Sequence, residues 1–198
     1  MSDAYDDEDE FMVDDEVYDI EYSSDDEEES GDYQFENIYY GAKSIKDEDW
    51  RGAVDKFKEV IASEQDKSEW GFKCHKQICK LYFRNKRYAD FLKTFKSLTE
   101  YVDNAITRNY SEKSLYSILE YVSAVNANTP VDTQFELYNL ILVQLGKGAL
   151  PHERLWFKTQ LKLGKLYLQE RKFVKVASIC TKLNDWCEKT GQFSKNTA

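Results

Sequence analysis

Four aromatic residues recur along this chain, each opening a helical pattern after a turn: Trp50, Tyr88, Phe135 and Phe173, separated by 38, 47 and 38 residues. A second match runs beside them. Leu81-Tyr82 precedes Tyr88 and Leu166-Tyr167 precedes Phe173, so one six-residue step links Tyr82 to Tyr88 and Tyr167 to Phe173. Self-similarity at about 35–45 residues, built from two helices per unit, is the signature of a solenoid. A lone helical hairpin cannot bury both of its faces, so neighbouring hairpins must stack. This feature sets the expected fold class: all-α, a right-handed solenoid of about four TPR-like helical hairpins.

The residues between the aromatics agree with helix. Only Pro130 and Pro151 interrupt the chain, and no alternating Val/Ile/Thr run suggests a strand. Helices are predicted near Glu36–Lys46, Trp50–Ser63, Ser68–Arg84 and Tyr88–Asp103, with Asp49 as an N-cap. Ser111 is read as the cap of a fifth helix bearing Leu115, Ile118, Leu119 and Val122, which the turn at Asn126–Thr129 ends. Asp132 or Thr133 begins a sixth, stopped by Gly146, Gly148 and Pro151. The seventh spans Arg154–Tyr167, and the last runs about Lys172–Lys189.

The charge is unevenly spread. The whole chain carries a formal −10, yet residues 1–36 hold 18 Asp or Glu and no Lys or Arg, which leaves a balance of +8 in the rest. The expected organisation is a disordered acidic arm over 1–36, a helical-repeat domain over 37–191, and a truncated or disordered end over 192–198. Tyr5, Phe11, Met12, Val13, Val17, Tyr18, Ile20 and Tyr22 lie among the acids, a mixture suited to docking on a basic surface. Ser23 and Ser24 each have an acid three residues downstream and are candidate phosphorylation sites.

Chemistry of the catalytic kind has no foothold. The chain has two histidines, and no phosphate-binding loop, nucleophile elbow or His-Glu-x-x-His run appears. Cys74, Cys79, Cys180 and Cys187 form no Cys-x-x-Cys pair, so reduced thiols are expected and no metal site is assigned. No apolar stretch is long enough to span a membrane, and the acidic start does not fit a signal peptide, which places the protein in cytoplasm and nucleus.

Basic stripes carry the binding signal. Lys73, Lys76 and Lys80 share a narrow arc of the third helix, opposite Trp70, Cys74, Ile78, Leu81 and Tyr82. On the seventh helix Arg154, Lys158, Lys162 and Lys165 stack opposite Trp156, Phe157, Leu163 and Tyr167. Both helices open a hairpin, so their stripes are expected on one side, extended by Lys113 and by Arg108 in the preceding turn. A solvated charged face is the plain alternative. Such a surface suits an acidic protein or a polyanion, while the competing acidic arm argues against nucleic acid.

The blocks Asn37-Ile-Tyr-Tyr40, Glu69-Trp-Gly-Phe-Lys73, Thr107-Arg-Asn-Tyr-Ser-Glu-Lys-Ser114 and Arg154-Leu-Trp-Phe-Lys-Thr-Gln-Leu-Lys-Leu-Gly-Lys-Leu-Tyr-Leu168 closely resemble the second-subunit family of the COP (constitutive photomorphogenesis) signalosome. The resemblance implies a non-catalytic scaffold that joins other signalosome subunits. It also implies a grip on the cullin C-terminal region and RING protein of cullin–RING ligases, so that another subunit can remove the ubiquitin-like modifier. No cofactor is required, but inositol hexakisphosphate is implied as an intermolecular glue, with Lys73 matching the family's lysine and Lys76 and Lys80 beside it. Arg108, Lys113, Arg154, Lys158 and Lys162 are then the candidate cullin- and RING-facing cations. Family members continue into further repeats and a PCI winged-helix domain, absent from these residues. The stretch Gly146–Glu153 also departs from the family pattern. Two other readings stay open: a structural subunit of the proteasome regulatory-particle lid, and a transcriptional cofactor acting through the acidic arm.

Overall fold

The computed structural model describes residues 30–102, 105–124, 128–146 and 153–190. The acidic segment before Ser30, with Ser23 and Ser24, lies outside these residues, as do most of the 146–153 connection and the 192–198 end. Among the described residues there are eight helices and no strand. They are α1 (Ser30–Ile45), α2 (Trp50–Ser63), α3 (Glu69–Arg84), α4 (Tyr88–Thr99), α5 (Arg108–Ser123), α6 (Val131–Leu145), α7 (Glu153–Gln169) and α8 (Phe173–Thr190). The all-α helical-repeat class is therefore the one read from the sequence.

The chain divides into two compact units, the first ending at Tyr121 and the second starting at Val122. In the first, α1 packs on α2, α2 on α3 and α3 on α4. Its core gathers Tyr39, Ala42, Val54, Phe57, Val60, Cys74, Ile78 and Leu81, and Phe91, Phe95, Leu115, Ile118 and Leu119 are buried in the same unit. In the second, α6 packs on α7 and α7 on α8, burying Leu137, Ile141, Leu155, Leu163, Leu166 and Ile179.

Repetition is visible in the contacts. Gln77 Nε2 donates to the Tyr39 hydroxyl, and Lys76 Nζ donates to Ser114 Oγ, at 3.3 Å in both cases and 38 residues apart in both. The first helices of successive hairpins in this unit thus pack in register, at the interval seen between Trp50 and Tyr88. Trp50 meets Tyr82 edge-on at 6.4 Å, and Phe135 tilts against Tyr167 at 4.8 Å. Each pair joins the second helix of one hairpin to the first helix of the next.

The six-residue step has a backbone cause. Lys86 and Arg171 sit in the left-handed region, at φ 57° and 55°. Around Lys86, the Arg87 N–H donates to Tyr82 O at 2.8 Å and the Lys86 N–H to Phe83 O at 2.9 Å. Around Arg171, the Lys172 N–H donates to Tyr167 O at 2.8 Å and the Arg171 N–H to Leu168 O at 3.0 Å. This is the Schellman closure, which satisfies the last carbonyls of α3 and α7 and reverses the chain. Glycine is the usual residue at that position, and a lysine or arginine there is strained.

Several helix ends differ from the expected ones. α1 begins at Ser30, inside the stretch read as acidic arm, and Phe35 packs against the core. α4 stops at Thr99 and tightens into short-range bonds, Glu100 N–H to Ser97 O and Tyr101 N–H to Leu98 O, both 3.1 Å. Ser111 is not a cap: it is buried inside α5, its hydroxyl donating to Arg108 O at 2.8 Å. Thr107 plays that part, its hydroxyl accepting from the Tyr110 N–H at 3.4 Å. Arg108 is accordingly the first residue of α5, not part of a preceding turn. α6 starts at Val131 behind Pro130, whose missing N–H leaves no donor to satisfy.

Replacing Lys86 or Arg171 by glycine removes the left-handed penalty at a solvent-exposed site. Each change is expected to stabilise its unit by about 0.5–1 kcal/mol in urea unfolding.

Candidate polyanion and partner surface

The start of α3 is held by a dense set of hydrogen bonds. Ser68 is its N-cap, the hydroxyl accepting from the N–H groups of Trp70 at 3.1 Å and Gly71 at 3.4 Å. Behind it stands the carboxylate of Glu64, from the end of α2. Its Oε1 accepts from the Gly71 N–H at 2.8 Å, the Ser68 N–H at 3.3 Å and the Ser68 hydroxyl. Its Oε2 accepts from the Tyr101 hydroxyl at 3.0 Å. A carboxylate here satisfies orphan helix donors and sits favourably at the positive end of the helix dipole. Burial, then the hydrogen bond to Glu64, push the Tyr101 hydroxyl well above its usual range, so it stays protonated and donates.

Gly71 is what lets the carboxylate in. A Cβ at this position would meet Glu64 Oε2 at 2.2 Å. His75 Nδ1 lies 2.8 Å from Gly71 O, and the ring packs 4.9 Å from that of Tyr101. Burial lowers the His75 pKa below its ordinary 6.5, against the opposing pull of the Gly71 carbonyl. Lys67 Nζ closes the far side, donating to Glu100 O at 3.2 Å and Oε2 at 3.1 Å.

On this braced terminus Lys73 is held by two neighbours from its own helix. Its Nζ is 3.1 Å from Glu69 Oε1, and the side chain is 12% exposed. The same ammonium lies 4.7 Å above the Trp70 ring. Trp70 in turn packs on Tyr39 at 5.5 Å and Tyr40 at 6.5 Å. Lys43 of α1 reaches both tyrosines, at 5.7 and 5.5 Å. Lys43 and Lys73 thus flank one aromatic cluster between α1 and α3. The sequence reading missed Lys43; its position four residues after Tyr39 on one helix was the available signal.

Lys76 and Lys80 do not form an open stripe with Lys73. They are only 4% and 8% exposed. Lys76 reaches α5, donating to Ser114 Oγ and lying 5.1 Å from the Tyr110 ring. The cause is neighbour number. α3 packs against α1, α2 and α4, and its far side meets α5 through Phe72–Tyr110 and Phe83–Tyr121 ring contacts at 5.5 and 5.1 Å. A lysine stem fits such a helix–helix seam when its ammonium finds a hydroxyl and an aromatic face. Arg108 and Lys113 are exposed on α5.

In the second unit, α7 departs from expectation by one residue of phase. Trp156 and Phe157 are half-buried against Trp186 of α8, at 6.2 and 5.1 Å, while Leu155, Thr159, Leu163 and Leu166 are the buried line. Lys162 turns away from the outer face and donates to Ser123 Oγ at 2.7 Å. The exposed line reads Arg154, Lys158, Leu161, Lys165 and Leu168. Among the described residues no cluster of His, Cys, Asp or Glu could hold a metal ion, and no helix is long and apolar enough to cross a membrane.

Braced helical hairpins with exposed cations make this an all-α helical-repeat protein. Along most of its length this one is related to a particular protein. It is 40% identical over 186 residues to COP9 signalosome complex subunit 2 of Emericella nidulans, covering 92% of this chain and 36% of the relative. The Drosophila melanogaster subunit is 40% identical over 185 residues, covering 92% and 40%, and that of Caenorhabditis elegans 39% over 181, covering 91% and 35%. The chain therefore spans well under half the length of these relatives. No family model matches it.

Testable outcomes follow from the α3 brace. Glu64→Ala strips the bonds from Gly71, Ser68 and Tyr101 out of a partly buried cluster. It is expected to cost about 2–3 kcal/mol in denaturant unfolding. Gly71→Ala should also destabilise, because its Cβ displaces the carboxylate. In a chain that already carries Glu64→Ala, the same Gly71→Ala change should instead stabilise, by up to about 1 kcal/mol, from helix propensity alone. His75, with its folded pKa below the unfolded value, binds fewer protons when folded. Its contribution is complete above 6.5 and is lost as the pH falls from 6.5 toward the folded value. A His75→Gln chain should show a shallower loss of stability over that acidic range.

Proposed function

We propose that this chain acts as the non-catalytic gripping arm of a COP signalosome. In this reading it assembles with other signalosome subunits and holds the cullin C-terminal region and RING protein of a cullin–RING ligase, positioning them for deneddylation by another subunit. The observation that carries the reading is the 40% identity to signalosome subunit 2 over 92% of the chain. Inositol hexakisphosphate would bridge the arm and the ligase at Lys73. The Trp70 face and the Glu64 brace support that role by fixing where the ammonium stands. Lys76 and Lys80, both buried, would contribute positive potential from within the unit and not direct contacts. Arg108, Lys113, Arg154 and Lys158, all exposed, are accessible to acidic partner residues, and half-buried Lys162 would be the weakest member of the set.

Exposed ion pairs are worth at most about 1 kcal/mol each, so the surface must act collectively. A chain with Lys73→Glu and Lys158→Glu together should lose more than about tenfold in affinity for a neddylated cullin–RING ligase, as read by co-precipitation at rising salt. Unaltered capture by the doubly reversed chain, with its helical signal intact, would remove the electrostatic grip.

A further inference from the structure

Lys73 shares its aromatic setting with a second cation. Lys43, in the last turn of α1, is half-buried, and its ammonium lies 5.7 Å from the Tyr39 ring and 5.5 Å from the Tyr40 ring. Those two rings stand 5.5 and 6.5 Å from Trp70, and the Lys73 ammonium lies 4.7 Å from the Trp70 ring. One run of rings between α1 and α3 therefore carries an ammonium at each end. An aromatic face holds a cation in place without neutralising it. Tyr40, 41% exposed, keeps the middle of the run open to solvent. The register of the two helices is fixed beneath it, where buried Gln77 Nε2 donates to the Tyr39 hydroxyl at 3.3 Å.

A single phosphate can meet one of these ammonium groups but not both, because the rings stand between them. A ring compound bearing phosphates around its rim can meet both while neither lysine moves, and groups fixed in advance cost little to order. We infer that Lys43 is a second ligand for the polyanion at this site, and that the Lys43–Lys73 pair selects a molecule carrying several phosphates over one carrying a single phosphate. The inference rests on the reading of Lys73 as a polyanion-binding residue and adds to it a second contact and a selectivity. Glu69 sharpens the selection. Its carboxylate, 3.1 Å from the Lys73 ammonium, repels a weakly charged anion, whereas a densely charged one outcompetes it for the cation.

The test is titration calorimetry of inositol hexakisphosphate into the full chain, with displacement by inositol monophosphate read in the same buffer. Lys43→Gln is expected to weaken hexakisphosphate binding about three- to fivefold with its thermal melt unchanged, and Lys43→Arg to keep it. The preference for the hexakisphosphate over the monophosphate should narrow in Lys43→Gln. Lys93→Gln, which removes an exposed charge from α4 of the same unit, should leave binding as it was. Weaker binding in Lys73→Gln but not in Lys43→Gln would overturn the second contact and leave the Lys73 reading standing. Unaltered binding in both variants would remove the Lys73 reading as well. An equal loss in Lys43→Gln and Lys93→Gln, or a preference that does not narrow, would reduce the effect to total charge and overturn the inference.

Discussion

The carboxylate of Glu64 is the constraint on which the first unit depends. It ends α2, caps α3 and receives the Tyr101 hydroxyl from beyond α4, so one side chain ties three helices at a single point. Its presence requires a glycine at position 71, and its brace sets the direction in which the first turns of α3 project. Trp70 and Lys73 stand on those turns. Their geometry relative to Tyr39, Tyr40 and Lys43 is therefore inherited from a partly buried polar cluster and not from the flexibility of a surface lysine. Networks of this kind specify position at the expense of tolerance, since each member left unpaired is costly.

The hairpin repeat was legible in the sequence because it has local causes. The aromatic spacing and the Tyr82-to-Tyr88 step correspond to one backbone closure made twice, at Lys86 and Arg171, and to one ring contact made twice, at Trp50–Tyr82 and Phe135–Tyr167. The start of α1 was not legible. Acid-rich composition suggests a solvated coil, yet Phe35 and Ile38 supply enough apolar contact to extend the helix back to Ser30.

The exposure of the candidate cations was less legible, for a reason that lies in packing. A helical wheel separates polar from apolar arcs but does not count neighbours. Lys76 and Lys80 were placed on a polar arc that α5 and the remaining helices of the unit bury. On α7 the bulk of Trp156 and Phe157 drew the inferred core toward themselves. The buried line in fact runs one residue away, through Leu155 and Thr159, which moves Lys162 off the outer stripe and brings Leu161 onto it. Arg108, Lys113, Arg154 and Lys158 are exposed, and Lys73 stands against the Trp70 face, so the proposed binding roles rest on these five.

The central proposal is that Lys73, on the braced α3 terminus, binds a polyanion. Titration calorimetry of inositol hexakisphosphate into the full chain tests it most directly, comparing the natural sequence with Lys73→Gln and with Glu69→Gln, which releases Lys73 from its own counter-charge. The expected result is weaker binding for the first variant and tighter binding for the second. Equal binding by all three chains would contradict the claim.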